Sequence, residues 1–286
     1  LHNIQNCHRV VGGMSPKTAQ VAVELYRNIV KADLDPVDCL TAELVKTMEN
    51  AYRDVQIAFA NEMALLCQSM GANIWRVREL VNKSPHRDMH LPGAGVGGQC
   101  LPKDSWLLIA NAGADFEARL IPAARAVNDG MPLHMATLIE DALSERGRSL
   151  AGARIVILGV AYLENSDEIR NSPALPLINT LKARGADVVV HDPYVQSLDG
   201  MELVPELGDA LRGRDCAAIV TKHQTYFELD LRQMKELMRT PVIVDGRNVL
   251  DPEVCEKFDF VYRGIGQEVR RFAGKRRVAA WGIRVN

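Results

Sequence analysis

Aromatic residues make up only 5% of the 286-residue sequence, and no apolar run reaches the roughly 18 residues of a membrane-spanning helix. The first scarcity argues against a base-stacking nucleic-acid surface, and the second argues against a membrane protein. No excess of one charge is present either. Lys and Arg number 34 against 36 Asp and Glu, a net of −2 with the signs interspersed, so no nucleic-acid or acidic-membrane partner is expected. The six cysteines (Cys7, Cys39, Cys67, Cys100, Cys216 and Cys255) contain no C-x-x-C pair. Structural zinc, any other metal site and a disulfide framework are therefore not expected, and a reducing cytoplasm fits best. A signal peptide, internal repeats and low-complexity tracts are also missing. So is an initiator methionine. The chain opens in mid-phrase with LHNIQNCHRVVGG, as a fragment or processed product would. The length carries an expectation of about two domains.

What is present is concentrated between Leu91 and Trp106, LPGAGVGGQCLPKDSW. Four glycines, one cysteine, one lysine and one aspartate fall between Gly93 and Asp104. Gly93, Gly95 and Gly98 satisfy the spacing G-x-G-x-x-G, but the dinucleotide fingerprint needs a strand before it and a helix opening on its last glycine. The preceding run, Asn82 to Pro92, is polar, and Pro102 follows closely. A tight, backbone-exposing loop that presents Cys100 to a ligand explains the glycines better. A thiol becomes a useful nucleophile beside a cation or a helix N-terminus, and Lys103 and Asp104 follow at once.

Elsewhere the first half reads as helical. Arg9 to Gly13 is the end of a buried strand, and Ser15-Pro16 caps a helix running to about Val30. Asp35-Pro36 is a second start signal, and nothing then breaks a helix to Met70 before Gly71 in the C′ place. Leu44, Met48, Ala51, Val55, Phe59 and Leu66 form its expected buried stripe, while Lys46, Asn50 and Asn61 share another face. A stripe this long is too extended for one small domain to cover, which predicts a homodimer around the helix. Further helices are expected at Trp75 to Val81, Ser105 to Asn111, Leu120 to Asn128 and Pro132 to Arg146. Beyond Gly152 the grammar changes to βα alternation. Strands are expected at Arg154–Gly159, Asp187–His191, Cys216–Thr221 and Pro241–Asp245, with a helix at Pro173–Arg184. This is a doubly wound, Rossmann-like α/β sheet, whose ligands sit at the strands' carboxyl ends.

Five motifs make the chain resemble the UDP-sugar 6-dehydrogenases, the UDP-glucose/GDP-mannose dehydrogenase family. They are AELVKTMEN at 42–50, GVGGQCLPKD at 95–104, SDEIRNSPA at 166–174, VVVHDPY at 188–194 and VDGRNVLDP at 244–252. The resemblance implies a remnant of an amino-terminal Rossmann domain at 1–14 and a central helical dimerisation domain with the cysteine loop at 15–147. It also implies a UDP-sugar-binding Rossmann-like domain at 148–268, followed by a basic tail at 269–286. NAD would be bound mainly by an amino-terminal domain that this chain lacks. By the same resemblance, a nucleotide sugar is oxidised at C6 to the uronic acid by two hydride transfers, through a thiohemiacetal and a thioester on Cys100. Asp104, Lys46 and Asn50 would share the catalysis. Substrate would contact Lys46, Asn50, Arg87, Gly97, Gly98 and Arg247, and the cofactor would contact Lys103 and Arg170. GVGG and RVVGG resemble the N-acetylhexosamine enzymes more than the glucose enzymes.

One departure accompanies the resemblance. Leu163 stands where the family usually has a lysine for the substrate diphosphate, which leaves Lys222 or another cation to substitute. Without a dinucleotide site the chain by itself is expected to be inactive. The competing reading is a noncatalytic dimerising module that binds nucleotide sugars. An intact Cys100, Lys103, Asp104, Lys46 and Asn50 set favours the enzyme, because a binding module has no need of it.

Overall fold

The structure is a computed structural model that describes residues 1–110, 112–113 and 115–267. The tail expected at 269–286 lies outside the described residues.

A short helix α1 (His2–Asn6) leads into strand β1 (Arg9–Gly13), helix α2 (Pro16–Tyr26) and strand β2 (Leu34–Asp38). Ser15 caps α2 in a full capping box with Thr18, as its place before Pro16 predicted. Asp35 and Pro36 do not start a helix. They lie in β2, which pairs in parallel with β1, Pro36 opposite Val11. The start signal moves three residues on: the Asp38 side chain accepts the Thr41 N–H at 2.9 Å and caps helix α3 (Cys39–Met70). Because β1 and β2 pair across α2, residues 9–38 form one βαβ unit. The segment expected to end at residue 14 therefore continues to Asp38.

Helix α3 has 32 residues and ends at Gly71, which adopts the left-handed conformation expected of it, with φ 71°. Its buried face is not the apolar stripe read from the sequence. Asn50, Ala51, Asp54, Ala58, Ala60, Asn61 and Ala64 are buried, whereas Met48, Phe59 and Leu66 are 52%, 54% and 47% exposed. Small and polar residues face the neighbouring helices because they allow close approach and hydrogen bonding. The bulky apolar side chains point away from the chain's own core.

Helix α4 (Ile74–Val81) follows, then the cysteine loop, then helix α5 (Leu101–Ala110). Here α5 begins four residues earlier than expected, directly after Cys100. Pro102 fits its first turn, where no N–H is needed. The next two expected helices are one, α6 (Leu120–Glu145), with Pro132 inside it and buried. Gln68 of α3 pairs with His134 of α6 at 2.8 Å, so the two helices are tied along their length.

The second half is a five-stranded parallel sheet of order β4-β3-β5-β6-β7, with β3 (Arg154–Leu158), β4 (Asp187–His191), β5 (Cys216–Ile219), β6 (Val242–Asp245) and β7 (Val261–Gly264). Helices α7 (Ala174–Ala183), α8 (Leu207–Leu211), α9 (Leu231–Leu237) and α10 (Pro252–Lys257) complete the alternation. The doubly wound α/β expectation holds, and β7 is a strand the sequence reading missed. Alternate residues of each strand face opposite sides, as the period of two requires. Ile155, Ile157, Val188 and Val190 pack with Met131, Met135 and Ile139 of α6, while Val156, Leu158, Val189 and Ile243 pack with Leu211, Met234 and Tyr226. Helix α6 therefore covers one face of the sheet while it also packs on α3. Chain order reverses between β3 and β5, which opens a crevice at their carboxyl ends. Among the described residues no helix is long and apolar enough to cross a membrane.

Candidate active site

A cleft of about 670 Å³ lies between the cysteine loop and that crevice, and Cys100 is exposed in its wall. The Cys100 carbonyl accepts the N–H groups of Lys103 and Asp104 at 3.1 and 2.8 Å, the first bonds of α5. The thiol therefore sits at the helix N-terminus, where unpaired N–H groups and the aligned peptide dipoles favour an anion. Asp104 is buried one turn into α5 and accepts Asn50 Nδ2 at 2.6 Å, which joins two catalytic candidates across 54 residues of chain. Lys103 Nζ lies 3.7 Å from Asp104 on its exposed side.

The loop is fitted to the sheet by backbone proximity. Gly98 N–H donates to the Arg170 carbonyl at 2.9 Å, and Asn171 Nδ2 returns a bond to the Gly98 carbonyl at 3.0 Å. A Cβ on Gly97 would lie 2.5 Å from Tyr162 Cβ and 2.8 Å from the Asn171 carbonyl, so only glycine fits there. Arg170 also donates to Gln99 and Glu168, and its bond to the Glu168 carboxylate raises its pKa further above the usual range.

Arg247 anchors the far wall. Its Nε donates to the Val220 carbonyl at 2.8 Å and one terminal nitrogen to the Gly95 carbonyl at 3.2 Å. Burial lowers its pKa to about 10, against the pull of Glu164 and Asp245. The loop after β3 is held from beneath by Asp192, which accepts the N–H groups of Val160 and Ala161 at 2.7 and 3.0 Å. Burial opposes ionisation of Asp192, but its bonds from His223 and these backbone groups keep its carboxyl well below the usual range. His223 Nδ1 accepts the Asn165 N–H at 2.9 Å and completes the support. Leu163 is half exposed in the cleft, and Lys222, at the end of β5, pairs with Glu164 at 3.2 Å beside it.

Asn50, Gly97, Gly98, Cys100, Arg170 and Arg247 thus line one cleft, with Asp104 bonded directly behind Asn50. Three expected residues are not brought there, the first being Lys103, whose side chain lies beside Asp104 and does not line the cleft. Lys46 is exposed and paired with Glu49 at 3.1 Å, a turn short of the cleft. Arg87 is exposed, its side chain donates to the His86 carbonyl at 3.3 Å, and it does not line the cleft. Sequence reasoning missed Arg53, Arg78 and Glu164, all in the lining. Arg53 was within reach, since it lies three residues after Asn50 on one helix face. Arg78 gives no such signal, because its Nε is oriented by the carbonyls of Met89 and His90 at 2.7 and 3.1 Å.

Among the described residues the second sheet does not form a dinucleotide site. After β3 the chain runs through a long loop from Val160 to Pro173 before α7 begins, so no helix N-terminus stands where a pyrophosphate would need one.

A helix-terminal thiol facing the switch point of a parallel, doubly wound sheet defines an α/β protein with a ligand cleft at the carboxyl ends of its strands. The chain belongs to the UDP-glucose/GDP-mannose dehydrogenase family. Residues 40–130 match that family's central domain, and residues 156–252 match its UDP binding domain. A UDP-N-acetyl-D-mannosamine dehydrogenase of Pyrococcus horikoshii is 41% identical over 261 residues, which is 91% of this chain and 60% of that protein. An NDP-N-acetyl-D-galactosaminuronic acid dehydrogenase of Ralstonia solanacearum is 33% identical over 246 residues, 84% of this chain and 56% of that protein. The crystal structure of the NDP-N-acetyl-D-galactosaminuronic acid dehydrogenase of Methanosarcina mazei Go1 superimposes with a TM-score of 0.89 at 37% identity. It covers 94% of this chain and 60% of that one. The chain therefore spans about 60% of the length of these relatives.

Proposed function

We propose that this chain is the substrate-binding and thiol-bearing part of an NAD-dependent dehydrogenase that oxidises C6 of a UDP-N-acetylhexosamine to the uronic acid. The observation that carries the reading is Cys100 at the N-terminus of α5, in a cleft shared with Asn50, Arg170 and Arg247. The names of the relatives support the N-acetylated sugar. NAD, held mainly outside this chain, is the hydride acceptor. This chain's residues perform the steps between the oxidations. The Cys100 thiolate adds to the C6 aldehyde carbon, and the carbonyl π pair moves onto oxygen to give the thiohemiacetal. Asn50 is the candidate donor to that oxyanion, and Asp104 the candidate group to position water. Once the thiohemiacetal carbon has lost its hydride to the NAD held outside this chain and its hydroxyl proton to a base, water attacks the resulting thioester carbonyl carbon, the C–S bond breaks and the thiol is restored with release of the acid. Lys46 reaches this chemistry only if its side chain leaves Glu49.

The diphosphate is assigned to the crevice end of the cleft, where Lys222 stands in for the cation that Leu163 cannot supply. Lys222→Ala is expected to weaken UDP binding about tenfold, the worth of one charge-assisted contact, and Leu163→Lys to strengthen it. Calorimetric titration of UDP and UDP-N-acetylhexosamines into the chain measures both. Unchanged affinity in the two variants would move the diphosphate elsewhere, and no binding of any UDP-sugar by the parent chain would sink the reading itself.

A symmetric homodimer is part of the proposal. Val45, Met48, Tyr52, Phe59 and Leu66 are exposed along α3, a large apolar surface for one chain to leave in water. Light scattering at micromolar concentration should return twice the 31.6 kDa of the chain. A monomeric mass would remove α3 from consideration as an interface.

A further inference from the structure

A chain of buried polar side chains runs behind the cysteine loop without touching the cleft. Asp54 and Asn61 come from α3, and Arg125 and Asn128 from α6. All four are at most 2% exposed. Arg125 pairs with Asp54 Oδ1 at 2.7 Å and also with Asp129. Asn128 Nδ2 donates to the Asp54 carbonyl and carboxylate at 3.0 and 2.8 Å, and Asn61 Nδ2 donates to Asn128 Oδ1 at 2.9 Å.

The ends of this chain meet the two flanks of the thiol loop. Asn61 Oδ1 accepts the Gly93 N–H at 2.8 Å, seven residues before Cys100. On the other side Ser105 Oγ donates to Asp54 Oδ2 at 3.4 Å, five residues after it. Asn50 and Asp54, one turn apart on α3, thus hold the consecutive residues Asp104 and Ser105 of α5.

Stability alone does not account for such a pair. Burying two opposite charges costs as much as their attraction returns, and well-packed apolar residues of the same volume serve a core as well or better. Arg125 Nε has no hydrogen-bond partner, so the guanidinium is not even fully satisfied. Burial also pushes the Asp54 carboxyl up, against Arg125, Asn128 and Ser105. What directional bonds provide and apolar packing does not is a fixed register between α3, α6 and the loop.

We infer that Asp54, Arg125, Asn61 and Asn128 are positioning residues that clamp both flanks of the Cys100 loop and hold the thiol at the N-terminus of α5. The inference rests on the reading of Cys100 as the nucleophile. Cys100 is already exposed, so loosening the clamp adds no access and removes only alignment.

The test is the rate of iodoacetamide alkylation at Cys100, followed peptide by peptide by mass spectrometry in the 286-residue chain, with exposed Cys7 as internal reference. Asn61→Ala and Asp54→Asn should each slow Cys100 at pH 7 at least about threefold, because the thiol loses its fixed place at the helix N-terminus. Cys7 should be unchanged. Melting temperatures check that the fold survives, and rates are read well below the transition, where global stability does not affect them. Asp54→Asn leaves Arg125 paired with Asp129; if it fails to fold, Asn61→Ala decides alone, since it cuts only the bonds to Gly93 and Asn128. A folded variant with the parent rate at Cys100 overturns the clamp. Should the parent Cys100 react no faster than Cys7, the nucleophile reading falls separately, and the ratio of variant to parent still judges the clamp.

Discussion

Cys100→Ser, in an intact enzyme bearing these residues, is expected to abolish formation of the uronic acid at pH 7. Serine fills the same space at the start of α5, but its hydroxyl is far less acidic and nucleophilic than a thiol, and a helix N-terminus does not close that gap. The aldehyde would then have no covalent partner, and the second oxidation would have no thiohemiacetal to act on. The expected loss is of the acid itself, quantified by chromatography against the parent enzyme, with the variant falling to background. Binding of the nucleotide sugar should persist, because Arg247 and Lys222 are untouched. Parent levels of acid from the variant would eliminate the covalent route. If the parent enzyme made none either, the noncatalytic, nucleotide-sugar-binding reading would take its place.

The 286-residue chain assayed by itself with NAD and each candidate UDP-sugar should form no NADH. Among the described residues the unit β1–α2 does pass from a strand through Gly12-Gly13 to a helix N-terminus, but it lacks the G-x-G-x-x-G spacing on which a dinucleotide pyrophosphate rests, and no helix follows β3 directly. Joined to the amino-terminal domain of a relative, the same chain should form two NADH per sugar consumed, read at the NADH absorbance band. Sustained NADH production by the chain alone would place the dinucleotide in the parallel sheet and displace the substrate from it.

The parallel sheet was legible because four of its five strands are short apolar runs set off by a helix or a loop, and those four were found. The fifth, β7, reads Val-Tyr-Arg-Gly, whose arginine and glycine interrupt the apolar run, and it pairs with β6 alone among the strands of the sheet. Asp35-Pro36 carries a sound local helix-start signal, but pairing with β1 overrode it, and no local rule contains that partner. The stripe on α3 failed for a related reason. Apolar periodicity identifies a face that wants cover without saying which molecule covers it, and the chain's own core took the small and polar face. At the site, Cys100 and Asp104 stood out because reactive residues and glycines crowd one short stretch. Asp54, Arg125 and Asn128 did not, and Asn61 was placed on the face of Asn50 without a partner, since bonds spanning 67 to 74 residues leave no local trace. Lys46 was placed by the family resemblance and by its spacing from Asn50, and in this structure it is held by Glu49, outside the cleft.

Helix α6 runs from Leu120 to Glu145 and so crosses from one matched family segment, ending at residue 130, toward the next, starting at 156. One of its faces holds Asp54, and the other is covered by Ile155, Ile157 and Val244 of the sheet. A chimera that exchanged the UDP binding domain at this gap would either cut the helix or set Met131, Met135 and Ile139 against foreign strands. The two segments are separate by homology but one heritable unit mechanically. A lineage that changes its nucleotide pocket must therefore retune it residue by residue, with the thiol's scaffold carried along unchanged.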